Sequence, residues 1–329
     1  MKPGIIGRRL FAFVVVFFMT AGSAGAGEPL RNTAYFYEKA IAVRPTIHDV
    51  GERLRIARGI GPDRMAEFSG IHESASFLGD TDSAQDDFRD EAYDQLRAEI
   101  RMAYAELASV RGQTDEVRRS VVLLRHMVEL SNTLYAGGKI DQAQALQAQI
   151  AWASLSENLL VLEGREKTHS IRLNVLTGDA PEDAIPALEP LREYAPAFDS
   201  RELAESYKSR RFIVVFQQTI RPDSPVATGD ELHGADSLDV ESGAFVSAAR
   251  VSLETLSYRA RRYRTELVPR AEQAYASRLE AYKNGRLDLS VLIESLREVS
   301  DLRRECQTLL GEIHVRKARL ESATGVVLD

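Results

Sequence analysis

One stretch of the chain occurs twice, and the interval between the copies does not change. Tyr135, Gly138, Asp141, Leu173 and Gly178 recur as Tyr282, Gly285, Asp288, Leu320 and Gly325, always 147 positions on. The first copy opens YAGGKIDQAQALQAQI and ends LNVLTG, and the second opens YKNGRLDLSVLIESLR and ends LESATG. A repeat that keeps its register over such a length identifies one structural device used twice. Both copies carry the same physical plan. A helix stops at a Tyr, a Gly turn follows, an Asp starts the return helix, and that helix runs to a closing Gly, the residue type favoured just past a helix end.

The segments on either side are strongly helical in pattern. From about Asp87 to Tyr135, apolar residues such as Ile100, Leu107, Val117, Leu124 and Val128 recur at steps of three and four. A helix of that extent, roughly 49 residues, would be about 73 Å long. Such a rod does not fit in a compact globule and implies a coiled coil or a helical barrel. Its return partner is expected over about 140–176. The second rod is expected from near Gly243 to Tyr282, bent at Pro269. The final helix, about 287–323, carries the stripe Leu289, Leu292, Leu296, Val299, Leu302, Cys306, Leu309, Ile313, Leu320. Its mean step near 3.5 is coiled-coil seam spacing. Ahead of the rods, residues around Tyr35–Ala57 predict a helix divided at Pro45.

Between these blocks the composition changes. Residues 59–86 are punctuated by glycines and predict loop with short strands near Met65–Ile71 and Ser74–Leu78. In 179–242, four prolines precede a short helix at about Ser200–Ser209. The run Phe212–Ile220, rich in β-branched and aromatic residues, is then the best strand candidate in the chain, with a broken partner near Leu238–Phe245. The organisation read from sequence is a leader over 1–26, a helical segment over 27–58, loop and short strand over 59–86, hairpin repeat one over 87–178, linker and short strand over 179–242, and hairpin repeat two over 243–325.

The leader reading rests on Lys2, Arg8 and Arg9, the apolar run Leu10–Thr20 and the small residues Ala24-Gly25-Ala26, the layout of a cleaved secretory signal. A formal charge of −7, more acidic still once that leader is gone, weighs against nucleic acid as a partner. The single cysteine, Cys306, allows no intrachain disulfide and lies on the apolar stripe, so it reads as a buried structural thiol. The histidines, His48, His72, His126, His169, His233 and His314, have no ligand spacing and predict no metal site. Gly59-Ile-Gly61 is too short for a nucleotide loop. The acidic run Asp80–Glu91 reads as a solvated entry to a helix. No constellation of nucleophile, base and orienting acid is present, so the chain reads as a non-enzyme without a cofactor.

The doubled Tyr-x-x-Gly-x-x-Asp, each followed by a long amphipathic helix and a closing Gly, resembles the outer-membrane efflux protein family typified by TolC. The resemblance covers most of 87–178 and 243–325. It implies a mainly α fold of two long antiparallel coiled-coil hairpins, three protomers forming a hollow periplasmic duct, and strands completing a barrel in the outer membrane. The strand candidates are too short and too polar for lipid-facing spans, so the β segments are expected to be reduced or vestigial. The resemblance also implies a tripartite export system in which the hairpin tips dock a periplasmic adaptor protein beneath an inner-membrane pump. The tip residues are Tyr135, Gly138, Lys139, Ile140 and Asp141, and Tyr282, Gly285, Arg286, Leu287 and Asp288. Turn and cap chemistry alone also accounts for these residues. The alternative that stays open is a soluble periplasmic coiled-coil scaffold that has lost the pore.

Overall fold

The computed structural model describes residues 30–60, 82–219 and 234–328, with the backbone alone considered for 82–91, 211–219 and 234–239. The leader and the strand candidates Met65–Ile71 and Ser74–Leu78 lie outside the described residues. Helices α1 (Thr33–Ala42) and α2 (Ile47–Gly59) flank Pro45. Thr46 and Asp49 form a reciprocal capping box at the start of α2. The first hairpin is α3 (Asp82–Ala136) and α4 (Gln142–Thr177). At 55 residues, α3 is roughly 82 Å long. After a linker and α5 (Ser200–Thr219), the second hairpin descends through α6 (Gly234–Arg262), a π turn over Tyr263–Leu267 and α7 (Val268–Lys283), and returns as α8 (Leu289–Thr324).

Two expectations from local propensity are corrected here. The backbone of 212–219 is helical, the continuation of α5, rather than a strand. Residues 238–245 lie inside α6. A helix already nucleated over Ser200–Arg211 adds residues at little cost, whereas the β preference of Val, Ile and Phe is worth at most about 1 kcal/mol and depends on a sheet neighbour. Among the described residues there is no strand, only a parallel bridge between Arg31 and Leu188. The bend expected at Pro269 takes the form of the π turn just ahead of it. Widening that turn accommodates the ring and the missing N–H that would otherwise disrupt an α ladder.

The long helices lie side by side in the order α4, α3, α8, α7. Cross-links show that α3 and α8 run antiparallel. Arg101 meets Glu321 at 2.5 Å, Ser109 donates to the Gln307 carbonyl at 2.8 Å, and Arg303 meets Glu116 at 3.3 Å. Gly311 lets this pair close up, since a Cβ there would stand 2.5 Å from that of Ser109. The same ladder order puts both Gly turns at one end of the layer. Next to that end, Leu124, Leu155, Tyr275, Leu289, Leu292 and Leu296 form a core drawn from all four helices, each leucine contributing about 2 kcal/mol of apolar burial. Farther along, α1 and α2 cover the first hairpin around Phe36, Leu54, Leu96 and Leu173. There α5 and α6 cover the second around Leu203, Val246, Leu253 and Leu309. Cys306 is buried, and burial pushes its thiol pKa up.

The two halves are joined by the linker 179–199, an extended strap held by its main chain. The Tyr104 hydroxyl lies 2.8 Å from the Glu189 carbonyl and 3.0 Å from that of Arg31. Arg111 donates to the Pro186 and Ile185 carbonyls and pairs with Glu166. Burial, and then the nearby Glu189 charge, push the Tyr104 pKa up to about 12, so this fastening keeps its proton at physiological pH.

Candidate functional site

Both tips are built on the same backbone. At the first, Gly138 (φ +63°) donates to the Tyr135 carbonyl and Lys139 to that of Leu134, each at 2.9 Å. At the second, Gly285 (φ +68°) donates to the Tyr282 carbonyl and Arg286 to that of Ala281, again at 2.9 Å. This double bond is the Schellman stop, in which the residue after the helix must sit in the left-handed region. Glycine does so without a Cβ penalty. The sequence therefore places Tyr, Gly and a cation at identical stations of each turn. Gly138, Lys139 and Asp141 are exposed at one tip, as are Gly285, Arg286 and Asp288 at the other, while Ile140 and Leu287 are half-buried beneath them.

The side chains of the two tips differ. Asp141 caps α4, its carboxylate accepting from the Gln144 N–H at 2.8 Å. Asp288 has the same extended backbone before α8 but makes no side-chain cap bond, which corrects the expectation that both acids cap. Exposed to water, its carboxylate is already solvated, and it still faces the positive end of the helix dipole. The tyrosines part as well. Tyr282 packs against the four-helix core, whereas Tyr135 is 47% exposed. Tyr282 alone closes its hairpin, because α7 turns it inward while α3 turns Tyr135 onto the open face of the layer. Burial raises the Tyr282 pKa.

Two structural features are absent from the sequence reading. One is a buried ionic chain across the first half. Arg172, 4% exposed, pairs with Glu99 at 2.7 Å and with Glu106. Glu99 also meets Arg58 at 3.1 Å, and Glu106 meets His169 at 3.4 Å. Burial would raise the Glu106 pKa, but the His169 hydrogen bond and the Arg172 charge outweigh it and hold the carboxyl below its usual range. No spacing signal marks partners that lie 66 and 73 positions apart. The other is the double-sided character of α4. Ala145, Ala148, Leu155 and Leu162 are buried toward α3, yet Leu146, Ile150, Leu160 and Val161 on the opposite side are exposed, Ile150 by 67% and Leu160 by 63%. A sequence signal exists for this one, since 142–164 contains Glu157 and Glu163 as its only charges. The outer side of α6 repeats the theme with Val240, Val251 and Tyr258. Helices apolar on two opposite sides are made to be flanked twice.

Among the described residues no group of side chains could hold a metal ion. No described helix is long and apolar enough to cross a membrane. His314 is held by the Arg192 carbonyl at 2.9 Å, and burial lowers its pKa.

No protein-family model and no curated protein matches the sequence. Solved structures do match its shape. The outer membrane protein VceC from Vibrio cholerae aligns over 90% of this chain and 97% of its own, at 17% identity and a TM-score of 0.53. CusC, whose structures describe transmembrane channel formation, aligns over 90% and 96%, at 11% identity and a TM-score of 0.57. The CmeC outer membrane channel of Campylobacter jejuni aligns over 94% and 91%, at 10% identity and a TM-score of 0.56. Likeness at such identities speaks to architecture: two long hairpins stopped by paired glycines, folded as in TolC-type outer-membrane efflux channels, which is the fold this chain has.

Proposed function

We propose that this chain is one subunit of an outer-membrane efflux duct, the periplasmic passage of a tripartite export system. It works as a homotrimer, exported by its leader to the periplasm and outer membrane. Its two tips dock the helical hairpin of a periplasmic adaptor, through Tyr135, Gly138, Lys139, Ile140 and Asp141 and through Tyr282, Gly285, Arg286, Leu287 and Asp288. An inner-membrane pump completes the assembly. Such a duct performs no bond chemistry. It requires length, a partner surface at one end and walls that join to their neighbours. The observation that carries the reading is the row of long helices with both turns at one end and helices apolar on opposite sides at its margins. A globular helical protein would bury those second faces within its own chain.

The experiment is cross-linking in cells through a cysteine placed at Lys139 or Arg286, both exposed. Capture of a periplasmic adaptor of the membrane-fusion type from either position supports docking. Capture of none, from an assembled protein, removes it. The helical state of 212–219 favours a second reading, a soluble periplasmic scaffold without a pore. Fractionation decides between the two. Recovery of the processed protein with the outer membrane supports the duct, and recovery in the soluble periplasm supports the scaffold.

A further inference from the structure

The outer side of α4 contains one group that does not belong on an apolar stripe. At 100° per residue, Leu146, Ile150, Glu157 and Leu160 fall along one line opposite the side that packs on α3. Glu157 is central to that line, is exposed, and has no ion-pair or hydrogen-bond partner among the described residues. Covering the stripe would strand this carboxylate unless a cation came with the cover, because an unpaired charge is not buried at tolerable cost. Among the described residues nothing of its own chain covers the stripe, and α7 lies on the far side of α3 and α8, so a second molecule is the cover considered.

That far margin offers the matching charge. Arg270 of α7 is exposed on the side turned away from the buried Ala271 and Tyr275, and it too has no partner among the described residues. Of the arginines nearby, Arg262 is engaged with Glu266 at 3.7 Å and Arg264 with Glu193 at 3.3 Å. The heights agree as well. Glu157 stands 19 residues from Gly138 and Arg270 stands 15 residues from Gly285. With both tips at one end, the difference is about 6 Å along the axis, within the combined reach of the two side chains.

We infer that Glu157 of one copy pairs with Arg270 of a second copy of this chain. The pair sits inside the contact between the α4 margin of the first and the α7 margin of the second, where it fixes the register. This rests on the self-association proposed above and specifies its geometry. The contact is head-to-tail, the kind that builds a ring when its rotation closes. Two α4 stripes facing each other would enclose two carboxylates and no cation. A charge pair in a helix contact selects register at some cost in stability, as a buried polar residue does in a coiled coil.

The test is charge exchange in the full-length chain, with association followed by sedimentation in mild detergent. Glu157→Arg and Arg270→Glu are each expected to weaken association about tenfold or more, and the double exchange to restore it. Both positions are exposed, so unchanged far-UV circular dichroism should accompany all three variants. Singles that assemble like the parent, or a double variant no better than the singles, would overturn the pairing while leaving assembly intact. A parent protein that stays monomeric at every concentration would overturn the ring itself, and the pairing with it. A second probe is independent of stability. Cross-linking Glu157→Cys to Arg270→Cys with a thiol-specific bifunctional reagent, needed because the offset positions lie beyond the roughly 7 Å Cα reach of a disulfide, should give linked subunits, with Cys306 buried and silent, and an absence of linked subunits in an assembled sample counts against the contact.

Discussion

The two hairpins share a turn and differ in nearly everything beside it. In the first, α3 is uninterrupted for 55 residues and Asp141 ties the return helix. A buried arginine also locks the hairpin to α2 farther up, through Glu99 and Arg58. In the second, the descending arm is broken by a π turn, Asp288 forms no cap bond, and the tie between its two arms, Arg259–Glu305, is exposed. The 147-residue period has kept what the turn geometry demands, a glycine at φ near +65° and a residue on each side that supplies the stopping hydrogen bonds. It has not kept the fastenings. Repeat units are therefore informative about backbone and uninformative about rigidity. On these grounds the first hairpin is the stiffer of the two.

The largest expected effect tests that stiffness at its buried end. Arg172→Ala leaves two carboxylates in the interior and should cost about 3–5 kcal/mol. Arg259→Ala, which breaks a pair with Glu305 whose side chains are 47% and 40% exposed, should cost at most about 1 kcal/mol. Denaturant unfolding of both variants measures the gap, and equal losses would break the contrast between the halves. Next come the caps. Asp141→Ala should cost about 1 kcal/mol and Asp288→Ala only a few tenths. Hydrogen exchange in the first turns of α4 and α8 reads the same difference locally, with α4 alone losing protection on substitution. The smallest effect is on pH dependence. His314 and Glu106 both have depressed pKa values in the fold, so the unfolded chain takes up the proton first and stability falls with pH in each case. For His314, which faces the Arg192 carbonyl, Lys317 and Glu321, the loss begins as pH drops below about 6.5. For Glu106 it begins only below about 4.5. Acid should loosen the second half before the first, and His314→Asn should abolish the earlier phase. Simultaneous loosening in a pH series of exchange measurements would refute the order.

The long helices and their shared end were legible because two signals agreed, a 3.6-residue apolar period and a fixed offset between copies. The stop at Gly138 and Gly285 was legible down to the backbone, since only one common helix ending needs glycine there. Phe212–Thr219 was misread because β-branched residues report a preference that a preceding helix can override. Arg172 was illegible because its partners meet it only through the packing of α3 on α4. The outer side of α4 lies between these cases. Its want of charge over 142–164 is plain in the sequence, but an amphipathic template searches for a single buried stripe and passes over a second.

The linker between the halves carries a quieter implication. Tyr104 and Arg111 grip carbonyl oxygens at Ile185, Pro186 and Glu189, groups that every residue possesses. Those two grips hold whatever side chains the belt carries at the gripped positions, while Leu191 and Tyr194 pin it a second way by packing into the cores on either side. The buckle belongs to α3, and the belt can be rewritten only between its pins.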